Sequence, residues 1–343
     1  MIKVMNRLNP FWIILAIFFS WAAVLQVRFE TSPEKKGRKL MNTYRIGRFS
    51  IGIPTLMEQK LRSSQLRFAD IKEIIWPPRI SQEQARDQEW KTFINEVNRL
   101  QPPEGVNKVV ILQPEFNIEG KWSKGILYYN DEFDSVGGRW SLLFDSGKVG
   151  VWLTTDNIDI RRESFERLSI RNYETIAKAY QPFDQYTVSH QRDSFYLEHG
   201  MINLPYSEQE ESIVRFEGHP LNLTLVIEMN MDLTQKIEKS SLINGTRAMI
   251  AASILVPGGS ISKIRLRHRE VAGMPGEESV LRIREGDSKD LVFTWQFNGR
   301  DNSGEYPTTK IEMQSPDGNL DEKLQIWDAI LDSMKPMFVR KPS

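Results

Sequence analysis

The sequence predicts an α+β protein with two tandem, similar domains, each an antiparallel sheet with packed helices, after an N-terminal apolar segment. The first observation is length: 343 residues leave about two domains of ~150 residues after that segment. The second is a repeat, because a strand-like stretch that ends in proline occurs at 51–54 and again at 202–205. The third is that each stretch is followed by the same order of patterns: a helix, alternating strands and a closing amphipathic helix.

The offsets of this repeat drift from 151 residues between Pro54 and Pro205 to 148 between Arg67 and Arg215. A duplication of this kind would be old and carry insertions. We expect three regions: 1–40 as a signal peptide or membrane anchor plus spacer, 41–198 as an N-terminal α+β domain, and 199–343 as a C-terminal α+β domain. Two similar domains predict a cleft between them, and we expect the function there.

The N-terminal segment contains a run of 17 residues without charge, 11–27, preceded by two basic residues. This order is typical of a secretory signal, so we expect the body of the protein to leave the cytoplasm. Small residues at Ser20 and Ala22 allow cleavage after Ala22, whereas the length of the run also suits an uncleaved membrane anchor. Both alternatives stay open. Five basic residues after the run favour the opposite orientation, but long domains cross membranes largely regardless of flanking charge.

In the first domain, alternation predicts strands over 44–53 and 66–75. From Ser81 onward apolar side chains recur at intervals of three and four, which predicts a helix that stops before Pro102. A helix that ends before Pro182 closes the domain. Between the two helices, turn signals separate four strand patterns, at 109–116, 121–129, 139–144 and 148–154.

In the second domain, composition predicts a strand over 221–228 and a helix over 232–242 that stops at Asn244. The apolar positions from 320 to 334 predict a last amphipathic helix, with two acidic residues in its first turn. Further strands are predicted at 248–256, 260–269, 279–285 and 291–297.

The composition excludes several classes of chemistry. Lys plus Arg (45) equal Asp plus Glu (45), so no basic field is available to attract nucleic acid. The chain has no cysteine, which removes thiolate metal sites, cysteine nucleophiles and disulfides. Its four histidines lack metal-binding spacing, and no phosphate-binding glycine loop occurs. We therefore expect no catalytic residues, no metal and no cofactor.

An enzyme of unrecognised type stays open at three positions. Ser123 lies between Gly120 and Gly125, but this spacing differs from that of a nucleophile elbow. His219 sits in a Gly-His-Pro turn, which favours a structural role. Glu277 and its acidic neighbour could do acid–base work, although acidic pairs on solvated faces are common.

The most specific pattern lies in residues 267–299, where Arg269 is followed by 271–273, 276–278 and 293–295. This segment resembles the C-terminal domain of the immunity proteins that protect bacteria from type VI secretion lipase effectors. The openings at 47–54 and 200–205 are similar to that family as well. The resemblance covers most of the chain beyond Thr43 and is strongest from about residue 200, which marks 199–343 as the immunity domain.

The resemblance implies a periplasmic protein, free or anchored in the inner membrane by residues 11–27, that binds a type VI secretion phospholipase or lipase effector. Its two domains are implied to clamp the effector and to occlude its substrate entrance. An inhibitor of this kind needs no catalytic group, but a complementary surface of about 1,600 Å² with a few anchor residues. A membrane-tethered scaffolding or binding module of the envelope is the alternative function.

Three loops are the candidate contact surfaces for the effector, because loops carry function more often than strands do. They are the hairpin loop 131–138, the turn 274–278 and the loop 300–306. The alternative, that each is only a solvated turn, stays open. The candidate partner-binding residues are Asp131, Glu132, Phe133, Asp134, Met274, Glu277, Glu278, Arg300 and Tyr306.

Overall fold

The two halves of the chain build the same series of strands and helices. The computed structural model describes residues 41–183, 194–207, 209–232, 240–253, 259–301 and 303–338. The first half contains β1 (Met41–Ile46), β2 (Phe49–Pro54), β3 (Glu58–Leu66), β4 (Ala69–Ile75), α1 (Gln82–Val97), β5 (Val110–Leu112), β6 (Ser123–Tyr128), β7 (Gly137–Ser146), β8 (Val149–Asp159), α2 (Glu163–Ala179) and β9 (Tyr180–Pro182). The second half contains β10 (Ser194–Tyr196), β11 (Gly200–Asn203), β12 (Gln209–Glu217), β13 (Thr224–Asp232), α3 (Leu242–Ser253), β14 (Gly259–Val271), β15 (Met274–Glu285), β16 (Ser288–Phe297), β17 (Thr308–Pro316), α4 (Leu320–Ser333) and β18 (Lys335–Pro336).

One 12-stranded sheet runs through both halves, in the order β14-β15-β16-β17-β13-β12-β3-β4-β8-β7-β6-β5. The halves meet where β3 pairs with β12, and each half contributes its strands in the corresponding order. The predicted α+β class and the antiparallel pairing are confirmed. All of these strands belong to a single unit, 40–343. The boundary at residue 198 stays a prediction.

Two small sheets exchange strands between the halves. The hairpin β1–β2 pairs with β18 of the second half, and the hairpin β10–β11 pairs with β9 of the first half. The packing follows the pairing. Phe49 and Ile51 of the first hairpin join the core around Trp327 of α4, whereas Phe195 of the second hairpin joins the core around Tyr173 of α2. Each hairpin therefore completes the core of the other half.

The helices cover both faces of the sheet. On β7 and β8, Leu143 and Trp152 pack under α1, while the alternate residues Leu142 and Val151 pack under α2, so these helices lie on opposite faces. Ser81 begins α1 with a capping box, in which its Oγ accepts from the backbone N–H of Gln84 at 3.2 Å.

The single strands predicted over 44–53 and 66–75 are both wrong, because the chain turns within each of them. In the first, Ile46 ends β1 and Phe49 begins β2. The second turn follows β3. Leu66 ends β3, and Ala69 begins β4. The turn residues Arg67 and Phe68 have φ of 51° and 65°. Two successive left-handed residues define a tight hairpin turn, which normally contains glycine or asparagine. Because arginine and phenylalanine stand at these positions instead, the sequence gives no turn signal here.

The strand predicted over 248–256 is also wrong, because its described residues continue α3 to Ser253. Asn244, taken as a helix stop, lies in the first turn of α3. The start of this helix is held by Glu277, whose carboxylate accepts from the backbone N–H of Ile243 at 2.9 Å and from the hydroxyl of Ser241. The helix predicted over 232–242 lies mostly outside the described residues.

The N-terminal run 11–27 lies outside the described residues. Among the helices that are described, none combines the length and the apolar character needed to cross a membrane.

Candidate functional site

The two halves place the same three parts around two positions on the sheet face that carries α2 and α4. These parts are the tip of a hairpin, the central strand β3 or β12, and the connection between β7 and β8 or between β16 and β17. On the central strands β3 and β12, residues that are 148 positions apart in the sequence are equivalent. Arg62 of β3 pairs with Val214 of β12, and Leu66 of β3 pairs with Glu210 of β12. Adding 148 to the β3 residue of either pair gives the β12 residue of the other pair. Arg62 and Glu210 therefore occupy corresponding places.

The closed site is the position at Glu210, with Arg48, Ser212, Gly304 and Pro307 around it. Arg48 and Glu210 form a buried ion pair, in which Nε and Nη2 of the arginine donate to the two carboxylate oxygens at 2.7 and 2.5 Å. Nη2 also donates to the carbonyl of Leu204 at 2.9 Å. Burial raises the pKa of Glu210, and Arg48 partly offsets this effect. The remaining cavity is only about 20 Å³.

The open cleft is the position at Arg62, and its volume is about 660 Å³. That volume lies within the range of ligand-binding pockets. Its lining includes Tyr44, Arg45, Arg62, Lys148, Phe183 and Glu198.

Loop length explains why one position is closed and the other open. The turn between β7 and β8 consists of Gly147 and Lys148 alone, whereas the segment between β16 and β17 runs from 298 to 307. Gly304 and Pro307 of that segment lie over the ion pair in the closed site. The short turn leaves the cleft accessible from solvent.

Arg62 is the central polar group of the open cleft. Its Nη2 donates to the carbonyls of Arg45 and Tyr196, at 2.6 and 3.0 Å. Its Nε is buried without an acceptor, and Nη1 makes no hydrogen bond to any described residue. Burial lowers the pKa of Arg62 to about 10, although Glu73 and Glu198 partly oppose this. The guanidinium nevertheless remains charged at neutral pH.

Glu73 on β4 fixes the hairpin tip that forms one wall of the cleft. Its carboxylate accepts from the backbone N–H groups of Glu198 and His199, at 2.9 and 2.8 Å, and from the hydroxyl of Tyr180 at 2.7 Å. Burial raises the pKa of Glu73, and the N–H of His199 and the hydroxyl of Tyr180 partly offset this. With its hydrogen bonds used in this way, Glu73 positions the wall and does not face the cleft as a free acid.

The predicted loop 131–138 is exposed and ordered by its own acidic side chains. Oδ1 of Asp131 accepts from the backbone N–H of Phe133 at 2.9 Å, and Oδ1 of Asp134 accepts from those of Val136 and Gly137 at 2.8 and 2.9 Å. The N–H groups of Gly137 and Val136 lower the pKa of Asp134. The Phe133 side chain is 88% exposed. The loop thus presents an aromatic ring between carboxylates, Glu132 included.

The predicted turn 274–278 has a structural role at several positions. Met274 and Glu278 are fully buried, so neither offers surface to a partner in this conformation. Glu277 is mostly buried and caps α3. Glu278 accepts from Arg265, Arg267 and Trp327, at 2.9, 2.7 and 3.0 Å, which fastens α4 to β14 and β15.

The predicted loop 300–306 contains a stacked pair. The Arg300 guanidinium lies 3.7 Å from the centre of the Tyr306 ring, and the Arg300 N–H donates to the carbonyl of Tyr306 at 2.9 Å. This loop borders the closed site through Gly304. The structure therefore places Arg300, which is exposed, and Tyr306, which is partly buried, on a loop far in the sheet order from the loop of Phe133.

The three positions kept open for an enzyme lie apart. Ser123 begins β6, and His219 accepts through Nδ1 from the N–H of Leu221 at 3.1 Å, as a turn residue does. Glu277 caps a helix. Within the described part of the chain, no group of three or more His, Cys, Asp or Glu side chains could hold a metal ion.

Sequence reasoning missed Arg62, Lys148 and Arg45. Arg62 lies on β3, whose polar sequence EQKLRSSQL has no apolar alternation and therefore predicts a polar connection rather than a strand. Only the repeat could have revealed it, because Arg62 and Glu210 are separated by the same 148 residues as Arg67 and Arg215.

The fold and the site define a two-halved α+β protein with an open cleft whose lining includes Arg45, Arg62 and Lys148. Residues 195–337 match the model of the family described as the Tle cognate immunity protein 4 C-terminal domain. The resemblance to immunity proteins of type VI secretion lipase effectors is thereby confirmed.

Solved structures of such proteins share the fold. The apo immunity protein TplEi of the type VI secretion system (T6SS) of Pseudomonas aeruginosa is similar with a TM-score of 0.71 and 16% identity, over 88% of this chain and 98% of that one. The crystal structure of the Tle4–Tli4 complex gives 0.72 and 17%, with the same coverage. TplEi complexed with an "L" peptide gives 0.66 and 15%, over 87% and 99%. No curated protein is significantly similar in sequence.

Proposed function

We propose that this protein is an immunity protein that binds a lipase effector of a type VI secretion system and neutralises it by occluding its substrate entrance. The observation that carries the proposal is the match of residues 195–337 to an immunity domain. Two supporting observations are the similarity to a structure of a Tle4–Tli4 complex and the extent of that similarity, 88% of the chain.

Occlusion requires a rigid surface with a few anchor residues rather than a reacting group. The loop 131–138 fits this requirement because Asp131 and Asp134 accept three hydrogen bonds from its backbone N–H groups, and Phe133 projects from it. We assign contacts with the effector to Asp131, Glu132, Phe133 and Asp134, and a second contact region to Arg300 and Tyr306.

Binding by an exposed aromatic anchor can be tested with a matched pair of variants. If a lipase effector is encoded beside the gene, Phe133→Ala is expected to weaken the affinity for it by about tenfold or more, since aromatic anchors dominate interface energies. Leu168→Ala removes a comparably exposed apolar side chain, 61% accessible on α2, and is expected to have no effect. Equal affinities of the two variants would remove Phe133 from the interface.

The proposal itself is tested with the wild-type protein. Purified full-length protein should bind the neighbouring lipase and inhibit it with saturation at one-to-one stoichiometry, leaving the lipase covalently intact. Absence of binding to that lipase would end the proposal. Loss of lipase mass during inhibition would instead indicate an enzyme.

We place the protein in the periplasm. The support is the uncharged run 11–27 after basic residues, together with the family match. Cell fractionation should find it in the periplasm or the inner membrane, and the mass of the mature protein decides between cleavage after Ala22 and an uncleaved anchor. Recovery in the cytoplasmic fraction alone would contradict this location.

A further inference from the structure

The open cleft carries a surplus of positive charge in a chain that is neutral as a whole. Its lining contains Arg45, Arg62 and Lys148 against one carboxylate, Glu198, while the chain has 45 basic and 45 acidic residues. Lys148 is exposed and makes no ion pair with the described residues. A concave site lined mainly by one sign of charge attracts groups of the opposite sign.

Arg62 makes the cleft specific for a hydrogen-bond acceptor. Two carbonyls occupy Nη2, whereas Nε and Nη1 have no acceptor among the described residues. A buried donor without an acceptor costs about 1–3 kcal/mol, and more where the group is charged. Nε is sealed from solvent as well as from acceptors, so the donor that a ligand oxygen can reach is Nη1.

In the closed site, which occupies the equivalent place in the other half, an arginine has a carboxylate as its acceptor. There Arg48 and Glu210 form a two-point pair between guanidinium and carboxylate. In the open cleft the position equivalent to Glu210 is Arg62 itself, so the described protein supplies a cation and no carboxylate within 4.0 Å of it. A partner molecule could therefore supply the carboxylate that the described residues do not place beside Arg62.

The walls indicate a polypeptide rather than a free anion. Tyr44, Phe183 and Ile75 line the cleft, and Ile75 is 51% exposed. A volume of about 660 Å³ is far larger than a single carboxylate needs. An acidic side chain flanked by apolar residues matches both the charge and the walls.

We infer that the open cleft receives an acidic segment of the effector, with an aspartate or glutamate carboxylate bound by Arg62 and Lys148. This inference rests on the proposed function. It assigns the cleft to partner recognition, in addition to the exposed loops. The apolar side chains of Tyr44, Phe183 and Ile75 in the lining favour a polypeptide over a lipid phosphate as the source of the charge.

The test compares charge variants of the full-length protein by titration with the neighbouring lipase. Lys148→Glu changes an exposed turn residue and should leave folding intact, yet weaken binding by about tenfold or more. Arg62→Gln should weaken binding at least as much, with thermal unfolding measured in parallel. The control is Lys72→Glu, an exposed residue of β4 on the opposite face of the sheet, which should bind like the wild type.

A reciprocal experiment identifies the acidic group. Acidic residues of the lipase are changed to lysine one at a time, and one of these changes should restore binding to the Lys148→Glu variant. Wild-type failure to bind removes the proposed function together with this inference. Wild-type binding that persists in both cleft variants removes the inference alone.

The remaining outcome concerns lipid. If Lys148→Glu abolishes binding to phosphatidylglycerol vesicles while its affinity for the lipase equals that of the wild type, the cleft serves a phosphate headgroup and the inference is overturned.

Discussion

The closed site and the open cleft occupy equivalent places in the two halves, yet they differ in two features. The first is the residue on the central strand, glutamate at 210 and arginine at 62. The second is the connection beside it, residues 298–307 in one half and two residues in the other. One half therefore satisfies a buried charge internally, while the other leaves a cation accessible. The two equivalent positions thus differ in charge and in accessibility, although the strands around them correspond.

The free-energy cost differs between the buried ion pair of the closed site and the accessible arginine of the open cleft. A buried ion pair costs desolvation that its attraction only partly offsets. Burial raises the pKa of Glu210 despite the contact with Arg48. A longer loop adds little closure entropy, so closing one position in this way is inexpensive. The stability of the closed site should therefore depend on both partners of the pair, whereas the cleft should tolerate change.

The largest effect is expected from Arg48→Met. This change leaves Glu210 buried without its cation, and removing one partner of a buried pair costs about 3–5 kcal/mol of unfolding free energy at pH 7. The same substitution in the cleft, Arg62→Met, removes hydrogen bonds to two carbonyls but breaks no ion pair with a described residue, so it should cost less, about 2 kcal/mol. Urea unfolding measures both.

The pH dependence of the Arg48→Met variant provides a check. Without Arg48 the folded-state pKa of Glu210 rises further above its unfolded value, because burial is then less opposed. A raised folded pKa favours the native state at low pH, and that contribution is lost as pH rises through it. The deficit relative to wild type should be smaller at pH 5 than at pH 7. If the loss of unfolding free energy is the same at pH 5 and pH 7, Glu210 is not the group that Arg48 stabilises.

A second prediction concerns the ion cluster under α4, in which Arg265, Arg267 and Arg269 bind Glu278 and Asp328. No such cluster is described under α2. Burial alone would raise the pKa of Glu278, but hydrogen bonds from Arg267 and Arg265 prevail and lower it. A lowered folded pKa stabilises the native state above the unfolded pKa, and this contribution is lost as pH falls through the folded value. Glu278→Gln should cost about 3 kcal/mol at pH 7 and progressively less below about pH 4.5.

The control for this prediction is Glu285→Gln, on an exposed position of the same strand, which should leave the unfolding free energy unchanged within about 0.5 kcal/mol. If Glu278→Gln and wild type lose stability in parallel between pH 5 and pH 3, the cluster does not hold α4 through Glu278.

Much of the fold could be predicted because hydrophobic patterning is local. The apolar periodicity of the sequence predicts the helices α1, α2 and α4 and the strands β6, β8 and β16, and the structure contains these elements with apolar residues buried in them. The turn after Leu66 could not, because Arg67 and Phe68 adopt left-handed φ without the residues that usually signal it. The start of α3 was also missed, although Ser241 caps it locally by accepting from the N–H of Asn244 at 3.1 Å; Glu277, more than thirty positions along the chain, adds a second acceptor that the sequence does not reveal.

The candidate site was less predictable because it depends on which parts of the repeat are equivalent. The serine-lysine turns at 146–148 and 288–289 suggest one alignment of the halves. The sheet order contradicts it, since the first turn joins β7 to β8, whereas residues 288–289 begin β16 and follow the turn from β15. The strand β17, which corresponds to β8, was not predicted. Arg62 became visible as a site residue only once β3 and β12 were paired.

A third prediction tests the loop that closes the closed site. A Cβ at Gly304 would overlap the ring of Tyr206, so Gly304→Ala has to displace the ring or the loop. Overpacking of this kind costs about 1–3 kcal/mol. Thermal unfolding should detect it, and hydrogen exchange should increase at the backbone N–H of Tyr306, which donates to Ser303. Unchanged exchange there would show that the loop does not depend on this contact.

The smallest effect is expected at the short turn beside the open cleft. Gly147 has φ of +78° with no atom within 4 Å of an added Cβ, so Gly147→Ala introduces backbone strain but no clash. A left-handed alanine costs about 1 kcal/mol.

The matched control for Gly147→Ala is Gly245→Ala, in the helix α3 and equally uncrowded. It should stabilise the protein by about 0.5–1 kcal/mol, since alanine is the better helix former. The same substitution would thus have opposite signs at the two positions. If both variants are stabilised, the turn at Gly147 can relax out of the left-handed conformation, and the opening of the cleft does not depend on its geometry.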